Sequence, residues 1–135
     1  MIIRTDNLPW PIDERLKNLL QHEIAKSGIK EDQGVTLNFR DPKYNHVNGG
    51  FHPVEIAINT DGSIEYITDF ALYGTPPYVE LGKEIDFDFG LKLFQYLSEE
   101  YPIQEGQDMY RLWEINFLCY YEMGVYHQIT VTTLE

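Results

Sequence analysis

The segment GGFHPVEI places His52 and Glu55 three residues apart, next to a flexible glycine pair and a rigid proline. Imidazole and carboxylate groups are common metal ligands and general acid–base catalysts. In a β-strand, however, residues three apart point to opposite faces of the sheet. Only a bulge near Pro53, at the entrance of the strand predicted there, could reorient His52 towards an acid. The pattern therefore favours a structural His52 over a metal ligand.

Residues 78–89, YVELGKEIDFDF, contain a second candidate for chemistry. Asp86 and Asp88, together with Asp69 and His52, are the groups that an enzyme based on a carboxylate cluster would use. The alternation of the segment instead places its acids on a solvated face, and it lacks the D-x-[DN]-x-[DN]-G calcium-loop pattern. Asp88 is also predicted to be the N-cap of a following helix. The structural interpretation is favoured, and no catalytic residue is predicted.

Several signatures of chemistry are absent from the sequence. It has no G-x-G-x-x-G segment, no Walker-type loop and no G-x-S-x-G elbow. The four histidines are scattered, and a single cysteine, Cys119, excludes a multi-cysteine zinc site. Cys119 lies in an apolar run and is predicted to be a small buried residue in a protein of the reducing cytosol. We therefore expect no cofactor and no tight divalent metal site.

The charge distribution is uneven along the 135 residues, which carry 22 acids, 10 bases and a formal net charge of −12. Residues 1–43 hold seven acids and seven bases, whereas residues 44–135 hold fifteen acids and three bases. Such a surface repels phosphate backbones and anionic membranes, and it attracts basic proteins. We predict a basic protein partner, with no direct binding of nucleic acid or membrane. The candidate partner-binding residues are Glu55, Glu65, Asp69, Glu80, Glu84, Asp86 and Asp88.

These residues must be positioned by one α+β domain, residues 1–135, in which an antiparallel sheet is flanked by N-terminal and C-terminal helices. Hydrophobic spacing predicts helices over residues 12–27, 89–100 and 109–123. Residues 109–123 also alternate like a strand, but helix-capping residues at both ends favour the helix. Strands are predicted over residues 35–40, 51–59, 63–73, 78–89 and 125–133.

The tetrapeptide Asn59–Gly62 predicts a hairpin with a type I turn that ends in a left-handed glycine. This turn pairs Asn59 with Ser63. Counting back along the strands places Ile58 opposite Ile64, Ile56 opposite Tyr66, and Val54 opposite Thr68. The register is favoured because it gathers the apolar side chains on one face of the hairpin.

The segment GGFHPVEI, with YITDF at 66–70, IDFDF at 85–89, YRLWE at 110–114 and YEMGVY at 121–126, resembles a bacterial family. The family consists of short acidic proteins of unknown function that are often carried on marine gamma-proteobacterial genomic islands. The resemblance covers roughly residues 13–130. It extends remotely, at the level of fold, to the mitochondrial matrix acidic glycoproteins, which bind complement and many other proteins.

The resemblance implies a twisted antiparallel sheet flanked by helices, and it is compatible with a homo-oligomer such as the acidic ring-shaped trimer of the mitochondrial proteins. One departure concerns the C-terminus. Those proteins end in a long helix that helps to build the trimer, whereas this chain ends in a predicted strand over residues 125–133.

Three functions remain open from the sequence. The predicted one is a non-enzymatic acidic protein-binding module of the bacterial cytosol, encoded on a mobile genomic island. The second is an enzyme that uses Asp69, Asp86 and Asp88, whose side chains must then converge in a concave pocket. The third is a mimic of nucleic-acid charge that occupies a basic protein and spaces its acids along a convex face. A binding module should instead expose an apolar patch rimmed by acids.

Overall fold

The computed structural model describes residues 2–30 and 32–134. In this part of the chain, two α-helices and seven β-strands form the α+β domain that the sequence predicts. The elements are α1 (Glu14–Ser27), β1 (Val35–Arg40), β2 (Val54–Ile58), β3 (Ile64–Thr75), β4 (Tyr78–Asp88), β5 (Leu93–Tyr96), β6 (Glu99–Pro102), a short 3-10 helix (Ile103–Gly106), α2 (Gln107–Met123) and β7 (Gln128–Thr133).

The seven strands form one antiparallel sheet in the order β6-β5-β4-β3-β2-β1-β7. Both helices pack on the same face, because one core joins Leu20 of α1 and Phe117 of α2 to Leu37, Ile56 and Phe87 of the sheet. We call this the helix-covered face and the opposite one the open face. Among the described residues, no helix is long and apolar enough to cross a membrane.

Helix α1 forms as predicted. The Asp13 side chain caps its first turn by accepting a hydrogen bond from the backbone N–H of Arg15 at 2.8 Å. Gly28 ends the helix in the left-handed conformation that glycine adopts most readily. Leu16, Leu20 and Ile24 form its buried stripe.

The ambiguous segment 109–123 is helical, as favoured, and Gly124 ends it with a φ of 76°. Its buried stripe runs through Tyr110, Trp113 and Phe117 at helical spacing. Cys119 follows Phe117 by two residues, about 200° around the helix, and is therefore exposed. The prediction that Cys119 is buried was wrong.

The predicted helix over residues 89–100 was also wrong, because these residues form strand β5, a tight turn and the start of β6. Leu97 and Ser98 in the turn have φ values of 50° and 72°, which a helix does not permit. The pairing places Phe94 opposite Phe87 on the helix-covered face, where the two rings stack at 5.5 Å. Asp88 caps a turn instead of a helix, accepting from the backbone N–H of Leu91 at 2.8 Å.

The predicted hairpin register holds only next to the turn. Ile58 is opposite Ile64, and Gly62 has the expected left-handed φ of 88°. A bulge then shifts the register, so that Ile56 lies opposite Ile67 and Val54 opposite Asp69, in place of Tyr66 and Thr68. The bulge is favourable because it buries Ile64 and Ile67 together, at 1% and 0% exposure. It also turns Asp69 towards the helix-covered face.

Candidate functional site

The open face carries a row of polar side chains that crosses six strands. Cross-strand pairing links the row residue by residue, through Asn38, Glu55, Thr68, Asp86, Gln95 and Glu100. Asp88 adds a further carboxylate to the same face, two residues beyond Asp86 along β4. Strands β2–β6 therefore present four acids on this face. Among the described residues of these strands, Lys83 is the only base beside the acids.

Hydrogen bonds organise the centre of this row. The Thr68 hydroxyl donates to Asp86 Oδ1 at 2.6 Å, and Lys83 Nζ lies 3.6 Å from Asp86 Oδ2. The Tyr66 hydroxyl donates to Glu55. Asp86 is only 6% exposed, and this burial raises the pKa of its carboxyl, against the opposing effect of the Thr68 hydrogen bond. Asp86 is therefore buried, and the prediction that it faces solvent was wrong.

An apolar patch adjoins the acids on the open face. Phe70 pairs with Lys83, and Leu72 pairs with Leu81, towards the end of the β3–β4 hairpin. Leu81 is 40% exposed, and Phe70 and Leu72 are half-buried. The open face thus combines partly exposed apolar side chains with neighbouring carboxylates.

On the other side of the sheet, a cavity of about 310 Å³ lies between α2 and the strands. Most of its wall is aromatic or apolar, and three ionisable side chains, His52, Asp69 and Glu84, lie at one part of it. The aromatic residues of the wall are Phe51, Trp113, Phe117, Tyr120 and Tyr126.

The three ionisable groups converge. His52 Nδ1 lies 3.3 Å from Asp69 Oδ1 and 3.7 Å from Glu84 Oε1, and one donor atom from each residue lies within 4.8 Å of the other two. All three side chains are partly buried, at 35%, 15% and 28% exposure for His52, Asp69 and Glu84. The hydrogen bond to Asp69 raises the pKa of His52, which burial opposes. We call these residues the His52 cluster.

The loop before β2 explains the segment GGFHPVEI. Gly50 has a φ of 131°, and a Cβ atom there would lie 2.9 Å from the Tyr44 Cα. This close approach brings the Tyr44 ring against the His52 ring, with centroids 5.1 Å apart. The Tyr44 hydroxyl is itself held, because it accepts a hydrogen bond from the Leu72 N–H at 2.9 Å. Gly50 therefore permits the packing of Tyr44 against His52.

The structure divides the predicted acids between the two faces. Asp69 and Glu84 lie with His52, whereas Glu55 bonds to Tyr66 on the open face. Asp86 and Asp88 also belong to the open face, so the sheet separates them from Asp69, and the carboxylate cluster of the enzyme hypothesis does not form. Two predicted acids remain. Glu65 accepts a hydrogen bond from Asn59 Nδ2 at 2.7 Å, and Glu80 is exposed.

The sequence argument against a metal site was that the histidines are dispersed and the acids face solvent. It does not hold for the His52 cluster. Glu55, the acid nearest to His52 in the sequence, lies outside the cluster, as the strand geometry predicts. Glu84 joins it instead, and the sequence carries no signal that would have identified this partner.

Residues 14–132 match the family described as "Protein of unknown function (DUF2787)". The chain belongs to this family. A search of the curated proteins found no match.

Two solved structures of hypothetical proteins from Vibrio cholerae are similar to the chain. One, from the VSP-II pathogenicity island, is 38% identical, with 96% of this chain and 98% of that chain covered and a TM-score of 0.80. The other, from pathogenicity island VPI-2, is 37% identical over 90% and 95% of the two chains, with a TM-score of 0.77, and shares structural homology with the human P32 protein. The resemblance noted from the sequence is confirmed.

Proposed function

We propose that this chain is a non-enzymatic module of the bacterial cytosol that binds a basic protein partner on the open face of its sheet. The observation that carries the proposal is the polar row, in which β2–β6 place four carboxylates beside a single lysine. The apolar patch of Phe70, Leu72 and Leu81 adjoins it. An acidic surface beside partly exposed apolar side chains suits a partner that brings both lysines and apolar residues.

The size of the electrostatic contribution follows from the geometry. Neighbouring strands lie about 4.8 Å apart, so Glu55 and Asp86, two strands apart, are separated by about 10 Å. In water a single ion pair is worth about 1 kcal/mol at 4 Å and about 0.4 kcal/mol at 10 Å. The less buried acids Glu55, Asp88 and Glu100 would together contribute about 1 to 3 kcal/mol at low salt. Buried Asp86 adds to the field without direct contact.

The arrangement of the acids supports this function over the alternatives. An enzyme would need Asp69, Asp86 and Asp88 together, and the sheet separates them. A nucleic-acid mimic would need carboxylates spaced like phosphates, whereas here uncharged Thr68 and Gln95 flank Asp86 in the row.

The test uses a fluorescent peptide of alternating lysine and leucine as the probe, titrated with the full chain at 50 and 200 mM NaCl. The variant Glu55→Gln/Asp88→Asn/Glu100→Gln removes charge from the open face. The matched control, Glu105→Gln/Asp108→Asn/Glu122→Gln, changes exposed acids of the 3-10 helix and α2. Each triple variant takes the formal net charge from −12 to −9, so the two lose the same charge from different surfaces.

We expect the open-face variant to bind the peptide at least about fivefold more weakly than the wild type at 50 mM NaCl, since 1 to 3 kcal/mol is about 5- to 150-fold. The control should stay within about twofold, and the difference should shrink at 200 mM, where charges are screened beyond about 7 Å. Equal loss in both variants would show that net charge alone attracts the peptide, and unchanged binding by the open-face variant would contradict the proposal.

A further inference from the structure

We propose that His52, Asp69 and Glu84 form a binding site for a divalent metal ion of the zinc class, with an open coordination position that faces the cavity beneath α2. The inference goes beyond the proposed function, because the His52 cluster lies on the helix-covered side of the sheet and the proposed partner binds the open face.

The distances within the cluster suit one metal ion. Zinc ligands lie about 2.0–2.2 Å from the metal, and two of them at a tetrahedral angle are therefore about 3.3–3.6 Å apart. His52 Nδ1 is already 3.3 Å from Asp69 Oδ1 and 3.7 Å from Glu84 Oε1. The two carboxylates are also within 4.8 Å of each other. Small rotations of the side chains would bring all three donors onto one ion.

The donor types select the class of metal. One imidazole nitrogen and two carboxylate oxygens suit zinc and similar first-row divalent ions, whereas calcium needs six to eight oxygens and magnesium a nearly regular octahedron of them. The charge also balances, since two carboxylates and a neutral imidazole carry −2. A dication would therefore offset the repulsion between the two partly buried carboxylates.

The donors come from separate parts of the fold, and each is held in place. His52 lies in the loop before β2, Asp69 on β3 and Glu84 at a bulge in β4. The Tyr44 ring packs against the imidazole, and its hydroxyl is fixed by the Leu72 N–H. Supporting contacts of this kind orient the ligands of metal sites in proteins. A site assembled before the metal arrives loses little conformational entropy on binding.

Three protein donors leave a four-coordinate zinc ion one free position, at which a further ligand can bind. The neighbouring cavity of about 310 Å³ supplies the space, and aromatic side chains such as Trp113, Phe117 and Tyr120 form its wall. The class of ligand that fits is a small molecule with one oxygen donor, such as a carboxylate, on an apolar body. Water would fill the position otherwise.

The test uses the full chain, treated with a chelator and then titrated with Zn²⁺ by calorimetry and with Co²⁺ by visible absorption. We expect one ion per chain and a higher melting temperature with Zn²⁺, because binding to the folded state stabilises it. The variants His52→Ala, Asp69→Asn and Glu84→Gln should each weaken Zn²⁺ binding at least tenfold. They should also weaken or abolish the d–d absorption of Co²⁺.

Two controls lie outside the cluster: His127→Gln changes an exposed histidine, and Glu80→Gln changes another acid of β4. Both should bind Zn²⁺ like the wild type. Absence of binding at 100 µM free Zn²⁺, or equal binding by the donor variants and the wild type, would overturn the proposal. Melting curves without metal identify any variant that fails to fold, and partly exposed Glu84 remains the safest substitution.

The two proposals fail independently. The open-face variant Glu55→Gln/Asp88→Asn/Glu100→Gln should keep full affinity for Zn²⁺, because none of its residues belongs to the His52 cluster. Conversely, Glu84→Gln should lose the metal and bind the basic peptide within about twofold of the wild type.

Discussion

Asp86 allows a direct test of how the open face is built, through the substitution Asp86→Asn. Burial raises the pKa of this carboxyl in the folded protein above the value of 3.8 expected when the chain is unfolded. Asparagine has almost the same shape, can still accept the Thr68 hydrogen bond and never ionises. The comparison of the two proteins therefore isolates the cost of keeping a charge at this position.

The sign of the effect follows from proton linkage. As the pH rises above 3.8, the unfolded wild type releases the Asp86 proton before the folded protein does, so wild-type stability falls relative to Asp86→Asn. The fall ends once the pH exceeds the raised pKa of the folded state. Within this window, one proton changes the free energy of unfolding by at most about 1.4 kcal/mol per pH unit. The Lys83 pair opposes the trend weakly, since Lys83 is half-exposed.

The assay is urea unfolding of both proteins at intervals from pH 3.5 to pH 7.5. We subtract the free energy of unfolding of the wild type from that of Asp86→Asn. This difference should increase with pH and then level off. Thr68→Val removes the donor that favours the charged carboxylate, so it should extend the window to higher pH. A flat or decreasing difference for Asp86→Asn would refute the assignment of Asp86 as a buried carboxyl whose desolvation outweighs its hydrogen bonds.

Two further predictions concern contacts that hold the fold around the site. Tyr121→Phe removes the hydroxyl that donates to buried Glu23, and we expect urea unfolding to show a loss of about 1–3 kcal/mol, with no loss for exposed Tyr78→Phe. Gly50→Ala adds a Cβ atom 2.9 Å from the Tyr44 Cα, so it should lower the free energy of unfolding by about 1–3 kcal/mol. The loss should be larger than for Gly49→Ala, whose added Cβ meets no atom within 4 Å. Equal losses in the two variants would contradict the packing argument.

Much of the fold could be predicted from the sequence, because local signals and burial agree along most of the chain. The caps of α1, the Asn59–Gly62 turn and the alternation of β1 each encode one structure. The predicted helix over residues 89–100 was wrong because the spacing of apolar residues in this segment suits either a helix or two short strands. The choice is made by pairing with residues outside the segment, since Phe94 stacks on Phe87 and lies opposite Tyr101.

The candidate sites were less predictable, because they depend on which face of the sheet each acid occupies. The alternation of side chains along a strand predicts which face of the sheet each residue occupies only while the strand pairing is regular. A single extra residue moves every following side chain to the opposite face. Of the four acids on the open face, Glu55, Asp86 and Asp88 were among the predicted residues, although buried Asp86 was taken to be exposed, and Glu100 was not predicted. The convergence of His52, Asp69 and Glu84 was missed, since a bulge has no reliable signal in a single sequence.

Two bulges, one in the pairing of β2 with β3 and one in β4, produce the acidic open face and the His52 cluster. Without the bulge between β2 and β3, Ile56 would lie opposite Tyr66, and the side chains of Ile67 and Asp69 would turn to the open face. Without the second, at Glu84, regular pairing from Asp69 and Ile85 would place Glu84 opposite Phe70, beside Asp86 on the open face, as the alternation of β4 predicts. In the structure Lys83 takes that position and its Nζ reaches Asp86, while Glu84 turns to His52 and Asp69. The second bulge therefore gives the open face its lysine and supplies the cavity with its third donor.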